Sequence, residues 1–371
     1  MQNDVLSIIY LNNASPALRT LINDNCVGML PCYGKYHVLD FPLSNFSHAH
    51  LYNIGIIANH PSWKLMHYIN NSSNWHIDPS KSNITFLPYH DAHTKNNLMQ
   101  HLIHNIDYID YHNPKYIFLV SGDQIYTMDY TQILAFHHKN NADVTLGVID
   151  VPWEKASRYT TVHTNTYQKV QCLDTSLRFA ENNTISMGIY VFKWHVLKKY
   201  LLQHMCSIPY NNTHFGDVIT YNMLNNGHDV MSYPFTGYWQ DIKTIQDFWN
   251  VHMNCLTDRY FMKIYQMNKH VHTKKSLFSS TYIDSNTRIE NTLIGDGCRI
   301  LGDVKNAVIF PNVHIEKNAF IENAIVMSNS NIRKYQYVSK CIVLNPSNNK
   351  KTGYTMRIFP VQNNPTNDIA K

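Results

Sequence analysis

The sequence predicts an α/β protein with a mostly parallel sheet, followed by a parallel β-helix. Three observations carry this. Up to about residue 255, short apolar runs alternate with helical patterns. From about residue 280, an apolar β-branched residue recurs at a near-constant short interval. The 371 residues suffice for two or three domains at ~100–200 residues each, with ample length for a buried core.

In the first region the strand candidates are 5–11, 54–58, 116–120, 144–149 and 189–192, with helix candidates at 61–69, 98–109, 130–139, 194–202 and 215–224. Such alternation implies a parallel sheet with helices on both faces. Ligands of such sheets bind beyond the carboxyl ends of the strands, so the loops at 11–31 and 121–129 are the places to look. In the second region the marker residues are Ile283, Ile289, Ile294, Ile300, Ile309, Ile315, Ile321, Val326, Ile332 and Val338, mostly about six apart, with Gly, Asn and Asp between them. Neither a helix nor a strand has that period. A hexapeptide β-helix does, with three short strands to each triangular coil. The domain division is then 1–255, a linker at 256–280, three to four coils over 281–345, and an Asn/Pro/Lys-rich tail at 346–371. A short solenoid has an apolar open end that must be covered, by the first domain or by another subunit.

Composition excludes several classes. With 44% apolar and 12% aromatic residues the chain is globular. Charged residues are only 15%, against roughly 25% in an average soluble protein. The polar surface is made up by 22 His, 25 Tyr and 43 Asn. The Asn are spread evenly, which reads as a compositional bias of the genome and not as a prion-like tract. The net charge of +5 comes without basic runs, which argues against nucleic acid and leaves phosphorylated small molecules open. The seven cysteines, at 26, 32, 172, 206, 255, 298 and 341, form no C-x-x-C pair and are odd in number. They read as reduced thiols, not as zinc ligands or a disulfide framework. The segment Met1-Gln2-Asn3-Asp4 opens no signal peptide, and runs such as 117–120 are far too short to span a bilayer. A cytoplasmic protein without a membrane partner is expected. The histidines, His137-His138 among them, are expected at the surface.

Four blocks carry more. Tyr33-Gly34-Lys35-Tyr36-His37-Val38-Leu39-Asp40-Phe41-Pro42-Leu43-Ser44-Asn45 resembles the segment G-G-K-[FY]-R-[IL]-I-D-F-x-L-S-N of glucose-1-phosphate adenylyltransferase, the ADP-glucose pyrophosphorylase family. Ser121-Gly122-Asp123-Gln124-Ile125-Tyr126-Thr127-Met128-Asp129-Tyr130 resembles its strand–G-D-x-x-Y-x-M-D-Y block. Ser186-Met187-Gly188-Ile189-Tyr190-Val191-Phe192 resembles S-M-G-I-Y-x-F. Gly237-Tyr238-Trp239-Gln240-Asp241-Ile242-Lys243-Thr244-Ile245 resembles G-Y-W-R-D-[VI]-G-T-I. The resemblance covers about residues 1–345 and implies a nucleotidyltransferase (Rossmann-like) sheet with a C-terminal left-handed parallel β-helix. It implies adenylyl transfer, in which the glucose 1-phosphate oxygen attacks the α-phosphate of ATP. That chemistry needs in-line positioning and neutralised phosphate charge.

Against the family pattern, the phosphate-handling parts are altered. Where G-G-x-G-T-R is expected, Asn12, Asn13 and Ser15 replace the glycines and Ala17 replaces the Arg. Where R-A-K-P is expected, Asn25-Cys26-Val27-Gly28 stands, so Val27 replaces the catalytic-loop Lys. His37 and Gln240 replace two further arginines. Side chains at 12, 13 and 15 hinder backbone approach to a triphosphate, and each lost phosphate contact typically costs ~10²–10³ in rate. Ala17, Asn25 and Val27 are therefore degenerate catalytic positions.

Other correspondences are kept. Asp123 and Asp241 match the two acids that hold Mg²⁺ in the family, the cofactor expected if any nucleotide binds. Asp241 could instead cap a helix at 244–250, and Asp40 reads as structural. Ser186 and Glu181 match sugar-phosphate positions, although Glu181-Asn182-Asn183 replaces the E-K-P motif and Thr94-Lys95-Asn96-Asn97 replaces the G-T-A segment near the base. Lys35 and His37 match the effector side. A scaffold kept with its phosphate chemistry lost resembles the non-catalytic, regulatory second subunit of bacterial glycogen synthesis, which joins a catalytic partner in a heterotetramer. An active nucleotidyltransferase with altered phosphate contacts is a second reading. A hexapeptide acyltransferase, with His314 its only candidate base, is a third.

Overall fold

The structure is a computed structural model. It describes residues 4–22, 24, 26–58, 62–70, 72–77, 83–87, 98–174, 182–203, 215–257, 271–345 and 357–360. Asn25, Thr94–Asn97, Glu181, Cys206, most of the expected linker and most of the tail lie outside the described residues. The chain divides into two compact units, residues 1–13 with 39–239 and residues 14–38 with 240–371. This division differs from the one placed at residue 255. It groups the segment 14–38 and the helix Ile245–Asn254 with the C-terminal residues.

The first unit is built on a nine-stranded sheet. Its strands are β1 (Val5–Leu11), β2 (Asn53–Ala58), β3 (Asn83–Leu87), β4 (Tyr116–Ser121), β5 (Val144–Asp150), β6 (Thr161–Thr164), β7 (Val170–Asp174), β8 (Thr184–Lys193) and β9 (Val230–Pro234). The order is β7-β6-β8-β4-β1-β2-β3, with β5 pairing β8 and β9. The run β4-β1-β2-β3 is parallel, as is β9 on β5, while β8 lies antiparallel to both β4 and β5. All seven residues of β1 are buried, as a central strand covered on both faces requires. On one face Leu6, Ile8, Ile117 and Leu119 pack with Leu102, Leu197 and Tyr200 from helices. On the other, Phe118 meets Phe46 at 5.6 Å and Tyr130 at 4.6 Å between ring centroids. β3, β6, β7 and β9 lie outside the strands that the sequence pattern gives.

Two helical segments depart from expectation, and a third lies where expected but turns a histidine inward. Asp40–His48 is a helix buried along nearly its whole length, so it shows no amphipathic period. Asp40 is structural there: both its oxygens accept from the Tyr68 hydroxyl, at 2.7 and 2.9 Å, and Oδ1 accepts from the Trp75 indole at 3.0 Å. The expected 98–109 helix is two, Leu98–His104 and Ile106–Tyr111. Asn105 breaks it by donating its side-chain amide to the His101 carbonyl at 2.7 Å, the local competition that disfavours Asn in helix interiors. The Tyr130–Lys139 helix lies where predicted, but His137 is not at the surface. It faces the core four residues after Ile133, its Nδ1 2.8 Å from Thr145 Oγ1, and burial lowers its pKa to about 4.

The second unit contains the solenoid. One ladder stacks Tyr282–Ile283, Arg299–Ile300, His314–Ile315 and Asn331–Ile332 in parallel. The other stacks Ile289–Ile294, Asp303–Ile309, Phe320–Val326 and Tyr337–Leu344. Successive rungs are offset by 17, 15 and 17 residues at Tyr282, Arg299, His314 and Asn331, shorter than three six-residue steps. The longer strands bend at Asn291, Asn306, Asn323 and Lys340, all left-handed with φ of 44–50°. Asn312, Asn318 and Asn329 take the same conformation, which Asn tolerates better than other side chains. These residues also stack: Asn291 donates to Asn306 at 2.9 Å and Asn312 to Asn329 at 2.7 Å. Ile300, Ile309, Ile315, Ile321, Val326 and Ile332 fill the interior. The edge of the last long strand is paired by Arg357–Pro360. His314 lies on a rung between Arg299 and Asn331.

The helix Ile245–Asn254 starts at a Thr244/Asp247 capping box, so Asp241 is not its cap. On its buried side, His252 lies against Phe310 with ring centroids 5.5 Å apart. The His252 ring fixes its own tautomer. Nε2 accepts from the Tyr33 backbone N–H at 3.3 Å, so Nδ1 carries the proton and donates to the Phe248 carbonyl at 2.7 Å. Gly34 and Gly295 allow the 31–38 hairpin to touch the solenoid: a Cβ on Gly295 would stand 2.8 Å from the Gly34 carbonyl. None of the six described cysteines is in a disulfide. Among the described residues, no helix is long and apolar enough to cross a membrane.

Burial holds both His252 and His137 at a pKa of about 4, below the ordinary 6.5. Protonation is therefore tied to unfolding. Their stabilisation is present in full above pH 6.5 and is lost as pH falls toward 4. Each site is expected to contribute on the order of 2–3 kcal/mol to this loss. Urea denaturation at pH 7.5 and pH 4.5 measures it. A flat midpoint across that range contradicts both buried-neutral assignments.

Candidate functional site

In the first unit the site lies at the carboxyl end of β4, where parallel sheets present ligands. The β1/β4 register pairs Tyr10 with Ser121, so residue 12 emerges beside residue 123. Asn12 is therefore placed by the sheet itself. Its amide donates to Asp123 Oδ2 at 2.7 Å and to Ser121 Oγ at 3.3 Å. The Ser121 hydroxyl donates to Asp123 Oδ1. Both carboxylate oxygens of this buried acid are thus held by protein donors. Between Ser121 and Asp123, Gly122 is required by packing. A Cβ there would lie 2.4 Å from Leu11 Cδ2 and 2.9 Å from Ile9 Cγ2.

The other blocks of this unit gather at the same strand end. Gly188, left-handed at φ 69°, sits in the β8 irregularity between Ser186 and Tyr190. A Cβ on it would stand 3.4 Å from Ser121 Cβ and 3.5 Å from Gln124 Nε2. Trp239 Nε1 donates to Gln124 Oε1 at 3.0 Å. Ser186 is buried, with its hydroxyl 3.2 Å from the Tyr190 hydroxyl, which donates to Asp217 at 2.5 Å. Burial and the Asp217 charge push the Tyr190 pKa well above its usual value. The Ser186–Tyr190–Asp217 chain was not legible in the sequence as a unit. Asp217 lies just past Gly216, whose missing side chain makes room for the Tyr190 ring (a Cβ would be 2.2 Å from it), and that Phe-Gly-Asp run was the available signal.

The second unit holds the remaining positions. Ala17 is exposed on the helix Pro16–Ile22, which buries Leu18 and Leu21. Val27 is 4% exposed within a short 3₁₀ turn, an apolar side chain buried where the family pattern has Lys. Lys35 is exposed at the tip of the hairpin pairing Pro31–Cys32 with Tyr36–His37, its Nζ 5.7 Å from the Tyr36 ring. His37 is half-buried. Asp241 has a side chain only 2% exposed, and Lys243 Nζ stands 3.1 Å from its Oδ2. Sequence reasoning missed Asn12 and Lys243 as partners of the two acids. The signal was present, since both occupy glycine positions of the family blocks.

Comparison with known proteins agrees with this architecture. Residues 18–258 match the family described as nucleotidyl transferase, and residues 274–348 match the GlmU-like C-terminal hexapeptide family. The sheet with its site at the strand ends, followed by stacked hexapeptide coils, is that of a nucleotidyl transferase. Among similar proteins is the glucose-1-phosphate adenylyltransferase of Clostridium novyi (strain NT), 32% identical over 325 residues, covering 86% of this chain and 85% of that one. The protein of the same name from Bacillus mycoides (strain KBAB4) is 32% identical over 320 residues, covering 85% and 82%. That of Desulfitobacterium hafniense (strain Y51) is 33% identical over 293 residues, covering 78% and 73%. The chain belongs to the glucose-1-phosphate adenylyltransferase family.

Two substitutions test the first-unit geometry. Asn12→Leu keeps bulk but removes a donor from a buried carboxylate, and is expected to lower stability by about 1–3 kcal/mol. Asn12→Asp sets two carboxylates together and is expected to lose more. Gly122→Ala forces a Cβ into Leu11 and is expected to cost about 1–3 kcal/mol. Urea midpoints at pH 7.5 report all three. A stability of Asn12→Asp equal to wild type removes the Asn12–Asp123 bond from the account.

Proposed function

We propose that this chain is the regulatory, catalytically impaired subunit of an ADP-glucose pyrophosphorylase. It joins a catalytic partner subunit in a heterotetramer of glycogen synthesis and modulates that partner's conversion of ATP and glucose 1-phosphate to ADP-glucose and pyrophosphate. The observation that supports this most is the Asn12–Asp123–Ser121 arrangement. A loop that must bring bare backbone to a triphosphate carries an Asn side chain instead, and that side chain is engaged with the acid the reaction needs. Ala17 and Val27 add to it. One removes a cation from an exposed helix face and the other puts an apolar side chain in a buried position. Adenylyl transfer rests on charge neutralisation and positioning, so losses at these positions multiply. The kept Ser186, Lys35 and hairpin support a sugar-phosphate or effector ligand without turnover. The protein works in the cytoplasm on this reading.

The purified chain is expected to form ADP-glucose at least ~10²–10³ slower than a catalytic relative. Adding it to its catalytic partner is expected to change rate or effector response, and the two are expected to co-purify. Turnover by the lone chain comparable to a catalytic relative overturns the reading. It would favour instead an active nucleotidyltransferase that retains Asp123 and Asp241 with altered phosphate contacts.

A further inference from the structure

The family resemblance implies Mg²⁺ at Asp123 and at Asp241. The donors present do not fit it. A hard dication needs carboxylate lone pairs turned toward it at about 2.0–2.1 Å. Asp123 has an amide N–H₂ on one oxygen and a hydroxyl on the other, and Asp241 has an ammonium 3.1 Å from Oδ2. At Asp123 protein donors direct hydrogens at both oxygens a metal would use, and at Asp241 the ammonium stands at Oδ2.

We propose that Lys243 is the resident counter-cation of Asp241, taking the neutralising place of a divalent metal in the metal-free protein. Position 243 decides the matter, because the family block has a glycine there and a glycine has no charge to offer. The Asp241 side chain is 2% exposed and that of Lys243 35% exposed. The lysine stem therefore reaches in from the surface while its tip meets the acid, as long basic side chains do. A buried carboxylate without a partner is strongly destabilising, and removing one partner of such a pair leaves that penalty exposed. At Asp123 a side chain again occupies a glycine position of the family block, and it is Asn12. That second case uses different residues in the other unit and involves a neutral amide. Each of these two acids thus meets a side chain of this chain, an ammonium at Oδ2 of Asp241 and an amide at Oδ2 of Asp123. This deepens the reading of an impaired active site but concerns stability and cation binding. Turnover by the lone chain would overturn that reading while leaving the ion pair untouched.

Thermal melting of the full chain, in EDTA and in millimolar MgCl₂, tests the proposal. The wild-type Tm is expected to be the same in both. Lys243→Met, which keeps the stem and loses the charge, is expected to melt lower in EDTA by about 5 °C or more and to regain part of that loss in MgCl₂. Lys243→Arg is expected to hold the wild-type Tm, and adding Asp241→Asn to Lys243→Met is expected to remove most of the loss. A wild-type Tm raised by MgCl₂, or Mn²⁺ bound by the wild-type chain in EPR, overturns the proposal. So does a Lys243→Met variant as stable as wild type in EDTA, or a Lys243→Arg variant as damaged as Lys243→Met.

Discussion

A carboxylate set at the end of a buried strand must be given a cation or hydrogen-bond donors, and much of this molecule follows from how that requirement is met. Asp123 stands at the end of β4 beside the all-buried β1. The register of two parallel strands decides which residue can answer it, and that residue is Asn12. A side chain at Gly122 would force Leu11 or Ile9 to shift, because both lie against it. The acid is therefore held in place from below by packing and from the side by register.

The departures from the family pattern are not scattered. Residues that would carry charge to a phosphate have become Ala17, Val27 and Gln240. Glycines that would leave room have become Asn12 and Lys243, and each of these touches an acid. The packing residues Leu18, Leu21 and the aromatic cluster of Phe46, Phe118 and Tyr130 are kept buried. The core is apolar and buried, while the polar groups of the site pair with one another.

The strongly periodic parts of the fold were legible in the sequence. β1 and the Tyr130–Lys139 helix lie where their patterns put them, and the six-residue spacing announced the solenoid. What escaped were elements whose side chains carry no period. The Asp40–His48 helix is buried nearly all round, and β6 is a short strand with Val162 as its one aliphatic side chain. The 98–109 run looked continuous because a side-chain bond such as that of Asn105 leaves no trace in hydropathy. His137 looked like surface because one histidine beside another suggests solvent, whereas the helical phase set by Ile133 turns it inward. In the site, block comparison gave the positions. It did not give the partners, because hydrogen bonds between Asn12 and Asp123, more than a hundred residues apart, depend on strand register.

The asparagine surplus has a consequence in the unfolded chain. A solenoid needs left-handed residues at its corners, and glycine is the usual supplier. Among the described solenoid residues, glycine fills that role at 297, while Asn291, Asn306, Asn312, Asn318, Asn323 and Asn329 fill six others. Glycine has the most backbone freedom to lose on folding, and replacing it at a compatible position typically gains about 0.4–1 kcal/mol. Asparagine corners give the same turns from a less floppy denatured state. The asparagine that supplies polar surface elsewhere in the chain acts here to reduce the conformational entropy gained on unfolding.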